Sequence, residues 1–395
     1  MKFNFISLVN PYRKMITGGS EDIRRRIEAL ANEYEVCVLA MDNNKEQIPF
    51  KKVPANITLK TYTRQISSNL FSWIHPIPVI TRYNRHLVHD ISRKLEKHQG
   101  QIIIIEGLQS CICWNYIPQN LRLSHYSILR LHNIESNYHR EFANSVDGFL
   151  PQLIHKFVSW QYTFFEPKNF RMFDEIHVIS LQEIKKLRIL YPDIAEKFKW
   201  VPPLVNVKEN FQVQKNDITI NFKIGYFGDL SIPLNSEGVR WFIKSIWPIV
   251  KNKIKNAQLH IAGHHSEAFQ KFSDDFYVHG FVDDLTNFIN DLDVLIVPIK
   301  NGAGVKIKVI DSIAWGKPLV TTSVGIEGTD ERLQELVWVR DSEAEFGNSL
   351  INIYNDYLNA WEKAQEAKEW ITKNYNHKTY CDICSNSSIE FKRRR

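Results

Sequence analysis

A glycine-rich loop followed by lysines and an acid is the part of the sequence best suited to chemistry. Residues 300–311 read KNGAGVKIKVID, and Gly302 and Gly304 interrupt regular structure in the first half of this run. A helix that begins after such a loop presents unpaired backbone amides and the positive end of its dipole. Lys306 and Lys308 add positive charge at the same place. This order of residue types predicts a site for a phosphate-bearing ligand.

The carboxylate of Asp311 lies about one and a half turns further along the predicted helix. At that position it can accept hydrogen bonds from the paired hydroxyl groups of a ribose. The alternative interpretation is a helix that simply starts after a glycine loop, with both lysines in solvent.

Two further candidates lie in the first half of the chain, each after a predicted strand. Gly18 and Gly19 fall between the first strand and the first helix, where glycine lets the backbone approach an anion, and Arg24 can point back to that loop. His132 directly follows the strand predicted at residues 126–131, where ligands bind on open parallel sheets. The alternatives are a surface turn, an exposed basic helix face and a structural histidine.

Apolar runs that alternate with helical patterns position all of these residues. In the second half, extended segments are predicted at residues 223–228, 257–263, 278–284, 293–298 and 316–320. In the first half, strands are predicted at residues 2–9, 35–41, 101–105, 126–131 and 175–180, and helices at 21–33, 150–170 and 181–190, the last capped by Ser180. Such alternation predicts parallel sheets with helices on both faces.

A polar stretch after Pro202 and Pro203 lacks periodicity up to residue 221 and is predicted to link two domains. We therefore expect an N-terminal domain at residues 1–203, a second domain at 204–375, and a C-terminal helix and basic tail at 376–395. Residues 344–374 are predicted to be helical throughout, and a short helix is predicted at 380–391.

The composition restricts the class of protein. The chain has 395 residues, 44% of them hydrophobic, and no apolar run approaches the roughly 18–20 residues that a membrane-spanning helix needs. We expect a cytoplasmic protein. The five cysteines lack the spacing of a zinc site, and a net charge of +6 without a recognition motif argues against a nucleic-acid partner.

The charge is unevenly distributed along the chain. Residues 1–200 hold 27 Lys and Arg against 19 Asp and Glu, a net charge of +8, whereas the remainder has a net charge of −2. Residues 51–100 hold nine basic and two acidic side chains together with several aromatic ones. Such a stretch can rest on an anionic membrane surface or meet a pyrophosphate-bearing acceptor, and the alternative interpretation is a solvated loop and helix face over a normal core.

Residues 223–330 resemble the donor-binding half of the retaining glycosyltransferases of family 4, which have the two-domain GT-B fold. The motifs behind this resemblance are GYFGD at 225–229 with Pro233 and Asn235, GVRWF at 238–242, Trp247-Pro248, Gly263, GFVDD at 280–284, and the run from Pro298 to Pro318. The first half agrees more loosely, through Gly18-Gly19, HNIE at 132–135, and Phe173-Asp174 before VIS at 178–180.

The resemblance implies an α/β protein of GT-B fold, with two doubly wound Rossmann-like domains facing a central cleft. It also implies transfer of a sugar from a nucleotide-diphosphate donor with retained anomeric configuration, and neither a metal nor another cofactor. By this resemblance, Asp311 is expected to bind the ribose of the donor. Lys306, with Lys300 or Lys308, is expected to neutralise the diphosphate and the negative charge that develops on it as it leaves. His132 faces the donor sugar, so that His132 and Lys306 are the expected catalytic residues.

The remaining roles also follow from the resemblance. Phe281 and Val282 hold the base, largely through the backbone, while Gly18 and Gly19 lie against the diphosphate or the acceptor. The full set expected to bind the donor is Gly18, Gly19, Asn235, Phe281, Val282, Lys300, Gly302, Ala303, Gly304, Lys308 and Asp311.

The sequence departs from the family at one important position. Many members carry a glutamate eight positions before the ribose-binding acid, and here that position is Ala303. Backbone amides would then contact the sugar hydroxyls. The ribose-binding acid is itself an aspartate, Asp311, one methylene shorter than glutamate.

The expected function is synthesis of a surface polysaccharide or a glycolipid on a glycan or lipid-linked acceptor. The basic first domain would make a peripheral membrane contact while the second domain holds the soluble nucleotide-sugar donor. Two alternatives belong to other classes: a catalytically inactive GT-B subunit that binds a nucleotide sugar or a partner, and a nucleotide-sugar 2-epimerase of similar architecture.

Overall fold

The computed structural model of the chain describes residues 2–7, 9–13, 18–42, 52–63, 75–146, 148–205, 221–272, 274–302 and 304–393. The chain divides into two compact units, Met1–Leu204 with Asn376–Arg395, and Val205–Tyr375. Residues 376–395 thus group with the first unit instead of standing alone. Most of the predicted linker, residues 206–220, lies outside the described residues, as do Ala303 and residues 64–74.

The first unit is built on a parallel sheet. Its strands are β1 (Lys2–Ser7), β2 (Glu35–Met41), β3 (Ile57–Tyr62), β4 (Ile102–Glu106), β5 (Tyr126–Leu131), β6 (Glu175–Val178) and β7 (Phe198–Trp200). They lie in the order β3-β2-β1-β4-β5-β6-β7, and every pair is parallel. The order reverses between β1 and β4, so the carboxyl ends of these two strands form a topological switch point.

Helices cover both faces of this sheet, as the buried side chains of β4 show. Ile103 and Ile105 pack into one hydrophobic cluster, and Ile102 and Ile104 pack into another. Successive side chains of a strand point to opposite faces, so a strand buried on both sides reads as an unbroken apolar run. The helices that precede the second unit are α1 (Gly18–Ala31), α2 (Ile77–Ile80), α3 (Arg85–Lys97), α4 (Cys111–Asn115), α5 (Gln119–Leu123), α6 (Glu135–Ser145), α7 (Phe149–Met172) and α8 (Leu181–Leu190).

The second unit contains a parallel sheet of six strands among its described residues. They are β8 (Phe222–Phe227), β9 (Ala257–Ala262), β10 (Phe276–Gly280), β11 (Val294–Val297), β12 (Leu319–Thr321) and β13 (Trp338–Val339). The order β10-β9-β8-β11-β12-β13 reverses between β8 and β11. The helices are α9 (Pro233–Trp241), α10 (Trp247–Lys253), α11 (Leu285–Asn290), α12 (Ile307–Ala314), α13 (Ser323–Ile326), α14 (Glu331–Leu336), α15 (Glu343–Asn355) and α16 (Tyr357–Asn374).

Two local predictions are wrong. Residues 344–374 do not form one helix, because Asp356 leaves the helical region (φ −132°, ψ 62°) between α15 and α16. Asn355 and Asp356 are residue types that favour helix caps over helix interiors. Tyr357, which directly follows the break, is buried. Gly18 and Gly19 form the first turn of α1 instead of a loop. The cap at Ser180 is confirmed, since its Oγ accepts a hydrogen bond from the amide of Glu183 at 3.3 Å.

The last helix, α17 (His377–Arg393), packs against α1 and β5 of the first unit. Tyr380 and Cys384 are fully buried there, and Ser387 donates a hydrogen bond to Glu175 Oε2 at 2.8 Å. All five cysteines are buried free thiols. In the part of the chain that the structure describes, no helix is both long enough and apolar enough to cross a bilayer.

Candidate functional site

Glycines line the carboxyl edge of the second sheet beside its switch point. Gly228 and Gly263 directly follow β8 and β9, and Gly280 ends β10. A Cβ atom on Gly263, where φ is +132°, would lie 1.9 Å from the carbonyl oxygen of Gly228. The amide of Gly263 also donates to the carbonyl of Gly280 at 2.6 Å. The three strand ends therefore meet through backbone alone, at the end of the sheet where ligands of such folds bind, and we call them the glycine edge.

The ammonium group of Lys308 lies against this glycine edge. Its Nζ donates to Tyr226 Oη at 2.6 Å and to Asn235 Oδ1 at 3.0 Å, and lies 4.5 Å from the centre of the Tyr226 ring. A Cβ atom on Gly228 would be 2.3 Å from this Nζ, so a larger residue at position 228 would displace the lysine from this place. Burial lowers the pKa of Lys308 to about 7, although the carboxylate of Asp229 opposes the shift.

Helix α9 holds Asn235 in place for this contact. Gly238 packs directly on the backbone after β11, because a Cβ atom there would lie 2.2 Å from the Pro298 carbonyl oxygen. Asn235 is buried, and its Nδ2 donates to the carbonyl of Asp229 at 2.7 Å. The close approach at Gly238 thus brings α9 against both strands that form the switch point.

The side chain of Lys306 folds back onto the glycine loop that precedes it. Its Nζ donates to the carbonyls of Gly302 at 2.8 Å and Gly304 at 2.6 Å, and lies 3.8 Å from Glu327 Oε2. Gly302 and Gly304 have φ of +111° and +80°, which favour glycine. The side chain lies immediately before α12, so its charge sits beside the free amides of that helix.

Asp311 and Lys300 lie on either side of this loop in the chain. Asp311 is partly buried in α12, three residues after Lys308 and so on the same side of the helix. Lys300 is exposed, and its Nζ lies 4.9 Å from the centre of the Trp241 ring. Trp241 Nε1 in turn donates to Glu343 Oε1 at 2.7 Å, which fixes the ring under the lysine.

An aromatic pair lies beyond β9 and β10. The rings of His264 and Phe281 stack with centroids 4.3 Å apart and planes 19° apart, and Phe281 is 56% exposed. Val282 follows Phe281 and is partly exposed. His265 has a φ of +61°, a conformation that a non-glycine residue adopts only under local constraint. An exposed ring stack at the edge of a sheet suits contact with another planar ring.

The switch point of the first unit is filled by a buried charge network. Arg26 pairs with Glu106 through two hydrogen bonds of 2.6 and 2.8 Å, and its Nε lies 3.1 Å from Asp22 Oδ2. Arg130 lies 3.3 Å from the same oxygen of Asp22 and donates to the Val201 carbonyl. These four charged side chains are fully buried.

The pKa values of the two acids show that the network is ionised. Burial opposes the charged form of Glu106, but Arg26 and His132 together outweigh it and hold the pKa of Glu106 well below its usual range. Burial likewise opposes ionisation of Asp22, and Arg26 and Arg130 together lower its pKa. Each buried carboxylate therefore has a cationic partner, as buried charges require.

His132 stands at the partly exposed border of this network. Its Nε2 lies 3.6 Å from Glu106 Oε2, and the side chain is 22% exposed. The expectation that Arg24 points back to the first loop is wrong, because its guanidinium pairs with acids of its own helix. Its Nη1 lies 2.7 Å from Glu28 Oε2, and its Nε lies 3.1 Å from Glu21 Oε2.

The structure thus gathers most predicted donor residues within the second unit, while Gly18, Gly19 and His132 belong to the first. Sequence reasoning missed Tyr226, which looks like any aromatic core residue of a strand. It also missed His264, although a histidine after a strand and a glycine is a usable signal. Among the described residues, no group of three or more His, Cys, Asp or Glu side chains could hold a metal ion.

Comparison with known proteins agrees with this geometry. Residues 221–356 match the family model described as glycosyl transferases group 1. An uncharacterized 44.6 kDa protein in the cps region of Klebsiella pneumoniae is 25% identical over 262 residues, which are 64% of this chain. The match spans 65% of the length of that relative.

Solved structures match over nearly the whole chain. The HepE protein of Anabaena in complex with UDP aligns with a TM-score of 0.66 at 14% identity, over 98% of this chain and 99% of that one. Sucrose-phosphate synthase from Thermosynechococcus elongatus also gives a TM-score of 0.66 at 14% identity, over 100% of both chains. WaaG, a glycosyltransferase of lipopolysaccharide biosynthesis, gives 0.62 at 14% identity, over 97% and 99%.

At these identities the solved structures establish the fold: two Rossmann-like units of the GT-B kind, as predicted. The family match covers the unit that carries the glycine edge, Lys306 and Lys308. Residues 221–356 thus match glycosyl transferases group 1, and the chain as a whole has the GT-B fold of the solved structures.

Proposed function

We propose that this chain is a glycosyltransferase, which moves a sugar from a nucleotide-diphosphate sugar to a glycan or lipid-linked acceptor with retention of the anomeric configuration. The observation that carries the proposal is the pair of lysines at the second switch point. Lys306 folds over the glycine loop, and Lys308 lies against the glycine edge. A diphosphate at this edge meets two ammonium groups and the first amides of α12, which stabilise a leaving phosphate without a metal.

The donor displaces contacts that the protein now makes with itself. The ammonium of Lys306 is held by the carbonyls of Gly302 and Gly304, which are weaker partners than a charged phosphate oxygen. Binding of the diphosphate is therefore expected to transfer Lys306 from the loop to the ligand, with Lys300 and Lys308 adding charge. Asp311 accepts hydrogen bonds from the ribose.

The base is proposed to lie beside Phe281 and Val282, with His264 completing the ring stack. Support for a uridine nucleotide comes from the HepE structures, which were solved with UDP and with UDP-glucose. In this proposal backbone amides of the glycine loop contact the sugar, because the chain has Ala303 where many relatives have an acid.

His132 is proposed to face the donor sugar, and Gly18 and Gly19 the diphosphate or the acceptor. With Nε2 turned toward Glu106, the carboxylate orients the imidazole, and Nδ1 is left to interact with a sugar hydroxyl. A place in surface polysaccharide or glycolipid synthesis is supported by the Klebsiella relative from a cps region. A peripheral membrane contact is proposed from the basic charge of the first domain.

The test is a panel of UDP-, GDP- and ADP-sugars, each screened for thermal stabilisation of the chain and for slow hydrolysis of the donor. We expect UDP-sugars to stabilise the protein and to be hydrolysed equally fast with and without EDTA. Proton NMR of the first-formed sugar should show the anomeric configuration of the donor. Failure of every nucleotide sugar to stabilise the chain would contradict the proposal, and an inverted product would remove the retaining mechanism alone.

A further inference from the structure

We infer that the exposed face of α7 binds an anionic lipid surface. Six large apolar side chains of this helix are between 46% and 81% exposed: Phe149, Leu150, Leu153, Ile154, Trp160 and Phe164. We call these six residues the α7 stripe. Their spacing of three and four residues places them along one side of the helix, over a length of about 22 Å.

The opposite side of α7 is also apolar. Val158, Tyr162, Phe165 and Phe170 are buried in the core of the first unit. Large apolar side chains thus lie on two opposite sides of α7, and an exposed apolar patch on a monomer marks a surface that binds something. The stripe is therefore a candidate interaction surface, separate from the buried charge network.

In the stripe, the aromatic ring of Trp160 contacts that of Phe164 and that of the neighbouring Phe157. Phe157 stacks with Trp160 at a centroid distance of 5.7 Å, and Trp160 contacts Phe164 edge-on at 5.2 Å. The exposed rings are thus ordered along the helix before any partner binds. Tryptophan is well suited to the boundary between lipid and water, because its ring is largely apolar and its N–H is polar.

The charges on α7 indicate that the partner of the stripe is anionic. The only acid of the helix, Glu166, is 2% exposed and accepts hydrogen bonds from the amide and hydroxyl of Ser136 at 2.9 and 2.7 Å. Lys156 and Lys168 are exposed. An anionic headgroup layer complements such a face, whereas a second copy of the chain would bring the same lysines and no exposed α7 carboxylate to pair with them.

This surface differs from the one that the sequence predicted. The basic and aromatic stretch at residues 51–100 has Phe71, Trp73 and Ile74 outside the described residues, and none of it belongs to α7. The inference rests on the proposed function in one respect only: membrane binding would serve to bring the first unit to a lipid-linked acceptor. Vesicle binding without any donor or acceptor tests it separately.

The experiment is vesicle flotation of the full chain with phosphatidylcholine alone, and with about 30% phosphatidylglycerol added. We expect anionic vesicles to bind the chain at least about tenfold more tightly than neutral ones. Leu153→Glu should reduce that binding at least about tenfold, because it places a charge at the lipid contact. Leu358→Glu is the matched control: Leu153 is 51% exposed and Leu358 54%, and the control lies on α16 of the second unit.

Several results would overturn the inference. Equal loss of binding in both variants, or none in Leu153→Glu, would show that the stripe does not contact lipid. A concentration-dependent dimer that Leu153→Glu abolishes would assign the stripe to a second copy instead. Donor hydrolysis in solution is measured on the same samples. If hydrolysis persists while vesicle binding is absent, only the lipid inference fails; if binding persists without hydrolysis of any donor, only the proposed function fails.

Discussion

The two switch points of this molecule use charge in opposite ways. In the first unit, Arg26, Glu106, Asp22 and Arg130 saturate one another in full burial. In the second unit, the hydrogen bonds of Lys308 within the described residues go to neutral partners, a phenol and an amide, although the carboxylate of Asp229 favours its charged form. The same position in two Rossmann-like sheets is thus filled with paired ions in one case and with a lysine that has neutral hydrogen-bond partners in the other. Only the second arrangement gains by receiving an anion.

The largest effect should follow from breaking the buried network. Arg26→Met removes the arginine that pairs with Glu106 and one of the two arginines that pair with Asp22. We therefore expect the free energy of unfolding to fall by roughly 3–5 kcal/mol. Urea denaturation measures this. Arg332→Met is the control, because Arg332 forms its salt bridges at the surface (43% exposed), where water and salt screen them, and its loss should destabilise the protein much less. Equal losses of unfolding free energy in the two variants would contradict the prediction that the buried ion pairs contribute more than the exposed ones.

Removing charge from the glycine loop should affect chemistry more than stability. Lys306→Ala is expected to slow donor hydrolysis roughly 100-fold, the size of effect seen when one stabilising donor is lost from an active site. Lys253→Ala removes an exposed lysine at the end of α10 and should leave the rate unchanged. Unchanged hydrolysis in Lys306→Ala would remove the leaving-group role of this lysine.

The lowered pKa of Lys308 gives the second unit a pH signature. Because its pKa is about 7, Lys308 is mostly neutral at pH 8, and a nearby diphosphate should raise that pKa and draw in a proton. Calorimetry in buffers of different ionisation enthalpy should show uptake of up to about one proton per UDP at pH 8, with affinity falling as pH rises above 7.

Lys308→Met should abolish that proton uptake. Lys317→Met is the matched control, since burial also lowers the pKa of Lys317, to about 8, and its Nζ donates to the Asn290 carbonyl. Uptake that persists in Lys308→Met would place the proton on another group.

The smallest effect concerns the glycine at the start of α1. A Cβ atom on Gly19 would meet nothing within 4 Å, so Gly19→Ala should raise the free energy of unfolding by about 0.5–1 kcal/mol. Gly347→Ala tests the same change in α15, where a Cβ atom would lie 2.9 Å from Ile249 Cγ2 and cancel the gain. A loss of stability in Gly19→Ala would show that α1 needs the freedom of glycine.

The sequence predicted the class of fold and the glycine loop because both depend on local patterns. It did not show which way long side chains turn. The pattern of residues 126–131 does not indicate that the Arg130 side chain is buried, because its partners Asp22 and Val201 are remote in the chain. Lys306 and Lys308 look equivalent in sequence, yet one caps its own loop and the other contacts Tyr226.

The return of α17 to the first unit has a consequence for how the chain matures. Arg26 lies 5.9 Å from the ring of Tyr380, so one wall of the buried network is supplied only after the whole second unit has been synthesised. The second unit can close earlier, since its first and last residues are joined by a backbone hydrogen bond of 2.9 Å between Val205 and Tyr375. During synthesis the first unit therefore lacks this wall of its network until α17 has followed the second unit.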